Sequence, residues 1–180
     1  MAKHGLARPF AASLLCMLLA LPLLSAYASS SVELEKPEET PELEDILYII
    51  GKEEAPSGVV LHTREYDEAA FFWVAPRLEY YVLLIREKYP ALPLVILSHG
   101  DEIISLTTTN AAKYPGVHSI IRRLVEKQGV DFQICGAYAA MNDLDESAYP
   151  GYVHVIPSAP SALSDYRDLG YEMISIELTW

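Results

Sequence analysis

Leu94-Val95-Ile96-Leu97-Ser98-His99-Gly100 is a run of four apolar residues that passes without interruption into a short polar turn. A strand that is apolar on both faces must be covered on both, so the run predicts a central strand of a sheet lying between helices. Working outward from it, the chain alternates. Upstream, Val59-Val60-Leu61 is a short β-branched run ending at His62, and a helical stretch follows in which Pro76 starts or kinks the main helix. Leu78, Tyr81, Val82 and Ile85 line one face of that helix, and Tyr89-Pro90 ends it. Downstream, a polar loop through Thr107-Thr108-Thr109-Asn110 leads to a helix with the stripe Val117, Ile120, Ile121 and Leu124, stopped by Gly129. Val130 to Ile134 predicts a third strand running into Cys135. Tyr152 to Ile156 predicts a fourth, Ser161 to Asp168 a short helix stopped by Gly170, and Glu172 to Leu178 the last strand. Strands alternating with helices over 58–180 predict an α/β domain with a mainly parallel sheet of about five strands and helices on both faces.

The chain has 180 residues and a net charge of -12, which suits one domain rather than two. Residues 10–24 read FAASLLCMLLALPLL, preceded by Lys3, His4 and Arg8 and followed by the small-x-small site Ala26-Tyr27-Ala28. A basic start, a brief apolar core and such a site predict a secretory signal peptide over 1–28, with a periplasmic or secreted product. A retained membrane anchor is the competing reading, but the run is shorter than the roughly 20 residues a spanning helix needs. Cleavage after Ala28 removes Lys3 and Arg8 and no acid, so -12 becomes -14. That charge excludes nucleic acid and anionic membrane surfaces as partners, since phosphate binding needs the opposite sign.

Residues 29–57 form an acidic arm, with nine acids between Glu33 and Glu54 against Lys36 and Lys52. Within it, Thr40-Pro41 reads as an N-cap followed by proline at the first helical position. Leu43, Ile46, Leu47 and Ile50 recur at helical spacing and Gly51 supplies a stop, predicting a short amphipathic helix that docks on the body or on a neighbour.

Ligands of an open parallel sheet bind beyond the carboxyl ends of its strands. The first three predicted strands end at His62, His99 and Cys135, with Gly100 and Gly136 directly after two of them, where glycine permits sharp turns and close approach. Loss of Cys16 with the signal peptide leaves Cys135 as the single cysteine. A lone cysteine in an exported chain implies an intermolecular bond, an inert buried thiol, or chemistry. The stretch after Cys135 reads as helical, and a helix N-terminus favours a thiolate, with a neighbouring imidazole able to accept its proton. His118 reads as a surface or packing residue of its helix and His154 as an interior histidine of the fourth strand. There is no Cys-x-x-Cys, nucleophile elbow, P-loop or dinucleotide fingerprint. A Cys/His/His set could take zinc or copper, but its spacing matches no local metal motif, and no metal site is assigned.

From the second strand onward the chain resembles the DsrE/DsrF-like, or YchN-like, sulfur-relay superfamily. The residues that carry the likeness are the apolar strand ending in His99-Gly100 and the stretch Gly129-Val130-Asp131-Phe132-Gln133-Ile134-Cys135. Val153 to Ser158 and the closing Gly170-Tyr171 strand complete it, so it covers about Gly58 to Leu178. The resemblance implies a three-layer α/β/α sandwich assembled as trimers or hexamers. It also implies a catalytic Cys135 that carries sulfur as a persulfide, with His99 in the same pocket; Gly100, Gly136 and His62 are expected as binding residues from their place at the strand ends. No other cofactor is implied, and a sulfur donor or acceptor protein is the expected partner. Two other readings stand beside the sulfur carrier: a metal or small-molecule binding module using the same Cys and His residues, and a non-catalytic assembly protein held together by the arm helix and the tyrosines.

Overall fold

A computed structural model of the chain describes residues 40–178. They form α1 (Pro41–Ile50), β1 (Val59–Thr63), α2 (Phe71–Lys88), β2 (Leu94–Ser98), α3 (Pro115–Gln128), β3 (Asp131–Cys135), α4 (Gly136–Met141), β4 (His154–Ile156), α5 (Ala159–Asp168) and β5 (Glu172–Ile176). The five strands make one sheet in the order β4-β3-β2-β1-β5, and every pairing is parallel. The fold is a three-layer α/β/α sandwich, and the LVILS run is its central strand, buried at all five positions.

Layering follows from crossover handedness. Each step from β1 to β4 moves toward the same edge, so right-handed connections put α2 and α3 on one face. The step from β4 back to β5, beside β1, runs the other way and places α5 on the opposite face. The packing agrees. Val59, Leu61, Leu94 and Ile96 join the α2 and α3 residues Leu78, Val82, Ile121 and Leu124 in the large core. Val60, Val95, Leu97 and Cys135 join Ala159, Ala162 and Leu163 of α5 in a smaller one.

α1 docks on α2 and β5 through Leu43, Ile46 and Ile49. Ile49 takes the place that the sequence pattern gave to Leu47, which points to solvent. Thr40 does not cap α1; its Oγ1 meets the Tyr81 hydroxyl at 2.9 Å. A buried ion pair of Glu42 with Arg77 joins α1 to α2, and Arg77 also donates to the Glu177 carbonyl at 3.2 Å. Pro76 lies inside α2 rather than at its start, because Phe71 to Ala75 already turn in helix. Arg123 of α3 forks onto Glu79 of α2 at 2.6 and 2.7 Å. Gly129 closes α3 in the left-handed conformation at φ 62, where a side chain would be strained.

Three boundaries differ from expectation by two residues. β4 begins at His154, two residues late, and β5 ends at Ile176, two early. α5 begins at Ala159, because Ser158 caps it by accepting the Ser161 N–H and Ala159-Pro160 open the first turn. Among the described residues no helix is long and apolar enough to cross a membrane. The signal peptide over 1–28 and most of the acidic arm before Thr40 lie outside the described residues.

Candidate functional site

Because all strands are parallel, the ends of β1, β2 and β3 reach one edge of the sheet, and with them His62, His99 and Cys135. Strand alternation puts His62 on the face of Val60, and Cys135 on the face of Gln133; α5 covers this side. β1 is an interior strand, flanked by β2 and β5, so His62 sits toward the middle of the edge.

The structure brings the two histidines together. Nε2 of His62 and Nε2 of His99 are hydrogen-bonded to each other, with ring planes 15° apart and centroids 4.6 Å apart. Only one of the two nitrogens can carry the proton in that contact. Burial comes first in pushing both imidazoles below their ordinary 6.5, His99 to about 4. Positive charge adds to it: Arg64 acts on both rings and His62 on His99, while Glu177 opposes the fall at His62. The pair is therefore neutral at pH 7.

His99 is held there by a carboxylate that sequence reasoning missed. Glu102 has no solvent exposure. It accepts hydrogen bonds from the Ser98 hydroxyl, from the Thr63 hydroxyl at 3.2 Å, from the Gly100 N–H at 3.1 Å and from the Glu65 N–H at 2.8 Å. A glutamate one turn beyond a strand reads as surface, and no local signal marks it; only the convergence of the β1 and β2 ends creates its site. From the other side, the Tyr138 hydroxyl of α4 donates to Asp101 at 2.7 Å, a bond that leads in raising this tyrosine to about 12. The backbone ladder continues as well, with His99 N–H donating to the Thr63 carbonyl at 3.2 Å.

Gly100 is needed for a different approach from the one expected. A Cβ there would lie 2.1 Å from the Glu65 carbonyl oxygen, so it is the chain's own β1–α2 loop, not a partner, that fills the space. Gly136 is similar: a Cβ would sit 2.9 Å from the Ile156 carbonyl oxygen of the neighbouring strand.

Cys135 is 4% exposed. It is the N-cap residue of α4, and its Sγ accepts the Ala159 N–H at the start of α5 at 3.4 Å. The thiol therefore lies in the crevice between β3 and β4, whose outgoing helices go to opposite faces; such a switch point is where open α/β sheets place ligands. Among the described residues no hydrogen bond joins the thiol to either imidazole. The edge thus carries two separate features, a histidine pair on β1–β2 and a thiol on β3–β4.

Of the two remaining described histidines, His118 takes the packing role of the two read for it, and His154 is not the interior residue expected. His118 is buried, with Nδ1 bonded to the Tyr152 hydroxyl at 2.7 Å and Nε2 to the Ser105 carbonyl at 3.1 Å. His154 is exposed and pairs with Asp131 at 2.6 Å, because β4 is an edge strand. Among the described residues no group of three or more His, Cys, Asp or Glu is set to hold a metal ion, so Cys135 does not complete a site with the two histidines.

No protein-family model and no curated protein matches the sequence. Among solved structures, the chain is similar to MTH1491 of Methanobacterium thermoautotrophicum, a protein of unknown function, with TM-score 0.52 and 19% identity over 66% of this chain and 97% of that one. BT1422 of Bacteroides thetaiotaomicron, a conserved protein of unknown function, gives 0.46 and 16% over 65% and 94%. The likeness to MTH1491 is one of fold.

Proposed function

We propose that this chain is an exported sulfur-binding or sulfur-transfer protein in which Cys135 is the persulfide carrier. The observation that carries the reading is the seat of Sγ at the switch point, where it accepts the Ala159 N–H at the start of α5. That donated N–H fixes the sulfur at the edge of the sheet. The resemblance of Gly129 to Cys135 to the sulfur-relay pattern supports it.

The chemistry balances without an external oxidant. The Cys135 thiolate attacks a sulfane sulfur of a polysulfide or a donor persulfide; an S–S bond forms, another breaks, and the electron pair leaves on the shortened donor. An acceptor thiolate then takes the outer sulfur and releases the Cys135 thiolate. No second cysteine is present among the described residues to divert the persulfide into an internal disulfide. His99 and His62 stand on the same sheet edge as this crevice, and a trimer or hexamer would shield the thiol in an oxidising compartment.

The test is the intact mass of the folded protein after brief exposure to inorganic polysulfide, beside Cys135→Ala. A gain of one or more sulfur masses on the wild type only, removed by dithiothreitol, is the expected result. Modification only after denaturation would make Cys135 a core residue and overturn the proposal. A second reading, a non-catalytic assembly protein, is favoured by the exposed Leu47 and Tyr48 of α1 and Phe72 and Trp73 of α2. It predicts that Cys135→Ala changes nothing while removal of residues 40–50 changes the sedimentation coefficient.

A further inference from the structure

Two imidazole nitrogens that face each other within bonding contact can share only a proton or a Lewis acid. Nε2 of His62 and Nε2 of His99 do face each other, one N–H aimed at the other lone pair, from adjacent strands whose register is fixed by five residue pairs. Neither Nε2 has any other partner among the described residues. We propose that His62 and His99 form a two-imidazole site for a soft or borderline transition-metal ion, of the zinc or copper kind. The Nε2 proton moves to Nδ1 of the same ring, both Nε2 lone pairs then face the metal, and the protein's net proton count does not change.

Several features support this. Imidazole suits zinc, copper, iron and nickel, and among divalent ions copper binds such donors most strongly. The rings are half-buried, so an ion between them is reachable from solvent. The loop carrying His99 is pinned by Glu102 and Tyr138, which keeps the donors opposed. Metal–nitrogen bonds of about 2.0–2.1 Å at a tetrahedral angle set the nitrogens roughly 3.3 Å apart. The rings must therefore part a little, which half-exposed side chains can do by small χ rotations. Glu177 on the His62 side offsets the positive charge of Arg64. Among the described residues two ligands are supplied, so the other positions stay open to water or to an incoming thiolate or sulfide, the arrangement of a reactive rather than a structural site.

This site does not depend on the sulfur-carrier reading, and one experiment separates the two. Metal-free full-length protein is titrated with Cu2+ and, separately, with Zn2+ against a chromophoric chelator, for the wild type, Cys135→Ala, His62→Ala and His99→Ala. The expected result is one ion per chain in the wild type and in Cys135→Ala, and affinity lower by about tenfold or more in each histidine variant. The electron paramagnetic resonance spectrum of the wild-type Cu2+ complex, which needs no variant to fold, should show coupling to at least two imidazole nitrogens. The proposal is overturned by no binding in the wild type, by unchanged affinity in the histidine variants, by loss of the ion in Cys135→Ala, or by fewer than two coupled nitrogens.

Discussion

Glu102 brings a carboxylate into the solvent-inaccessible interior, and four donors from the ends of β1 and β2 meet it there. Removing it strands two hydroxyls and two N–H groups at once, each unmet donor costing about 1–3 kcal/mol. Glu102→Ala should therefore lose about 3 kcal/mol or more in urea unfolding, and the His62–His99 contact should loosen with it, seen as altered imidazole NMR shifts. Gly100→Ala, which drives a methyl into the Glu65 carbonyl, should cost about 1–3 kcal/mol by the same measurement. The histidines give a pH dependence of definite sign in the metal-free protein. Both fold with proton affinities below the ordinary 6.5, His99 at about 4, so between those values the unfolded chain binds more protons than the folded one. Stability falls as pH drops through that window, and His99→Gln should flatten the slope; an unchanged slope would show that other groups govern acid unfolding. For Cys135, near-complete burial predicts that small inorganic polysulfide modifies the folded protein faster than a bulky maleimide does.

At the scale of elements, α1 is held by three buried aliphatics and one buried ion pair, so it belongs to the folded body. Ile46→Ala should cost about 2–4 kcal/mol. Arg77→Ala leaves the Glu42 charge buried without its partner and should cost about 3–5 kcal/mol. Both are read by thermal or chemical unfolding, with faster amide exchange in α1 than in β2 if the helix opens first. The strands were legible in the sequence where an apolar run ended in a polar turn, as in Leu94–Gly100 and Val130–Cys135. That made the placement of His62, His99 and Cys135 on one edge readable. What could not be read was lateral. Nothing local tells that β1 is interior, that β4 is an edge leaving His154 in water, or that His118 finds Tyr152 and Ser105 inside. The imidazole contact and the Glu102 site arise for the same reason, since each needs two strands to lie side by side before its partners exist.

The body formed by residues 40–178 is an asymmetric sandwich. α2 and α3, with α1 alongside, build one thick layer, while α5 is the main cover of the other, over the sheet face that carries Cys135. The stability of that second layer sets access to the thiol. Leu163→Ala, which thins the α5 contact, should accelerate Cys135 modification by more than it lowers global stability; equal effects would mean the thiol opens only with the entire fold.

β5 follows every other described element in the chain and yet pairs with β1, the first strand. Until residues 172–176 are available, the Val59-Val60-Leu61 backbone has an open flank, and a sheet flank of that composition recruits other chains. A growing polypeptide would therefore stay adhesive until residues 172–176 arrive. A chain cut at Gly170 should sediment as aggregate, and a synthetic peptide of residues 171–178 should restore it to solution.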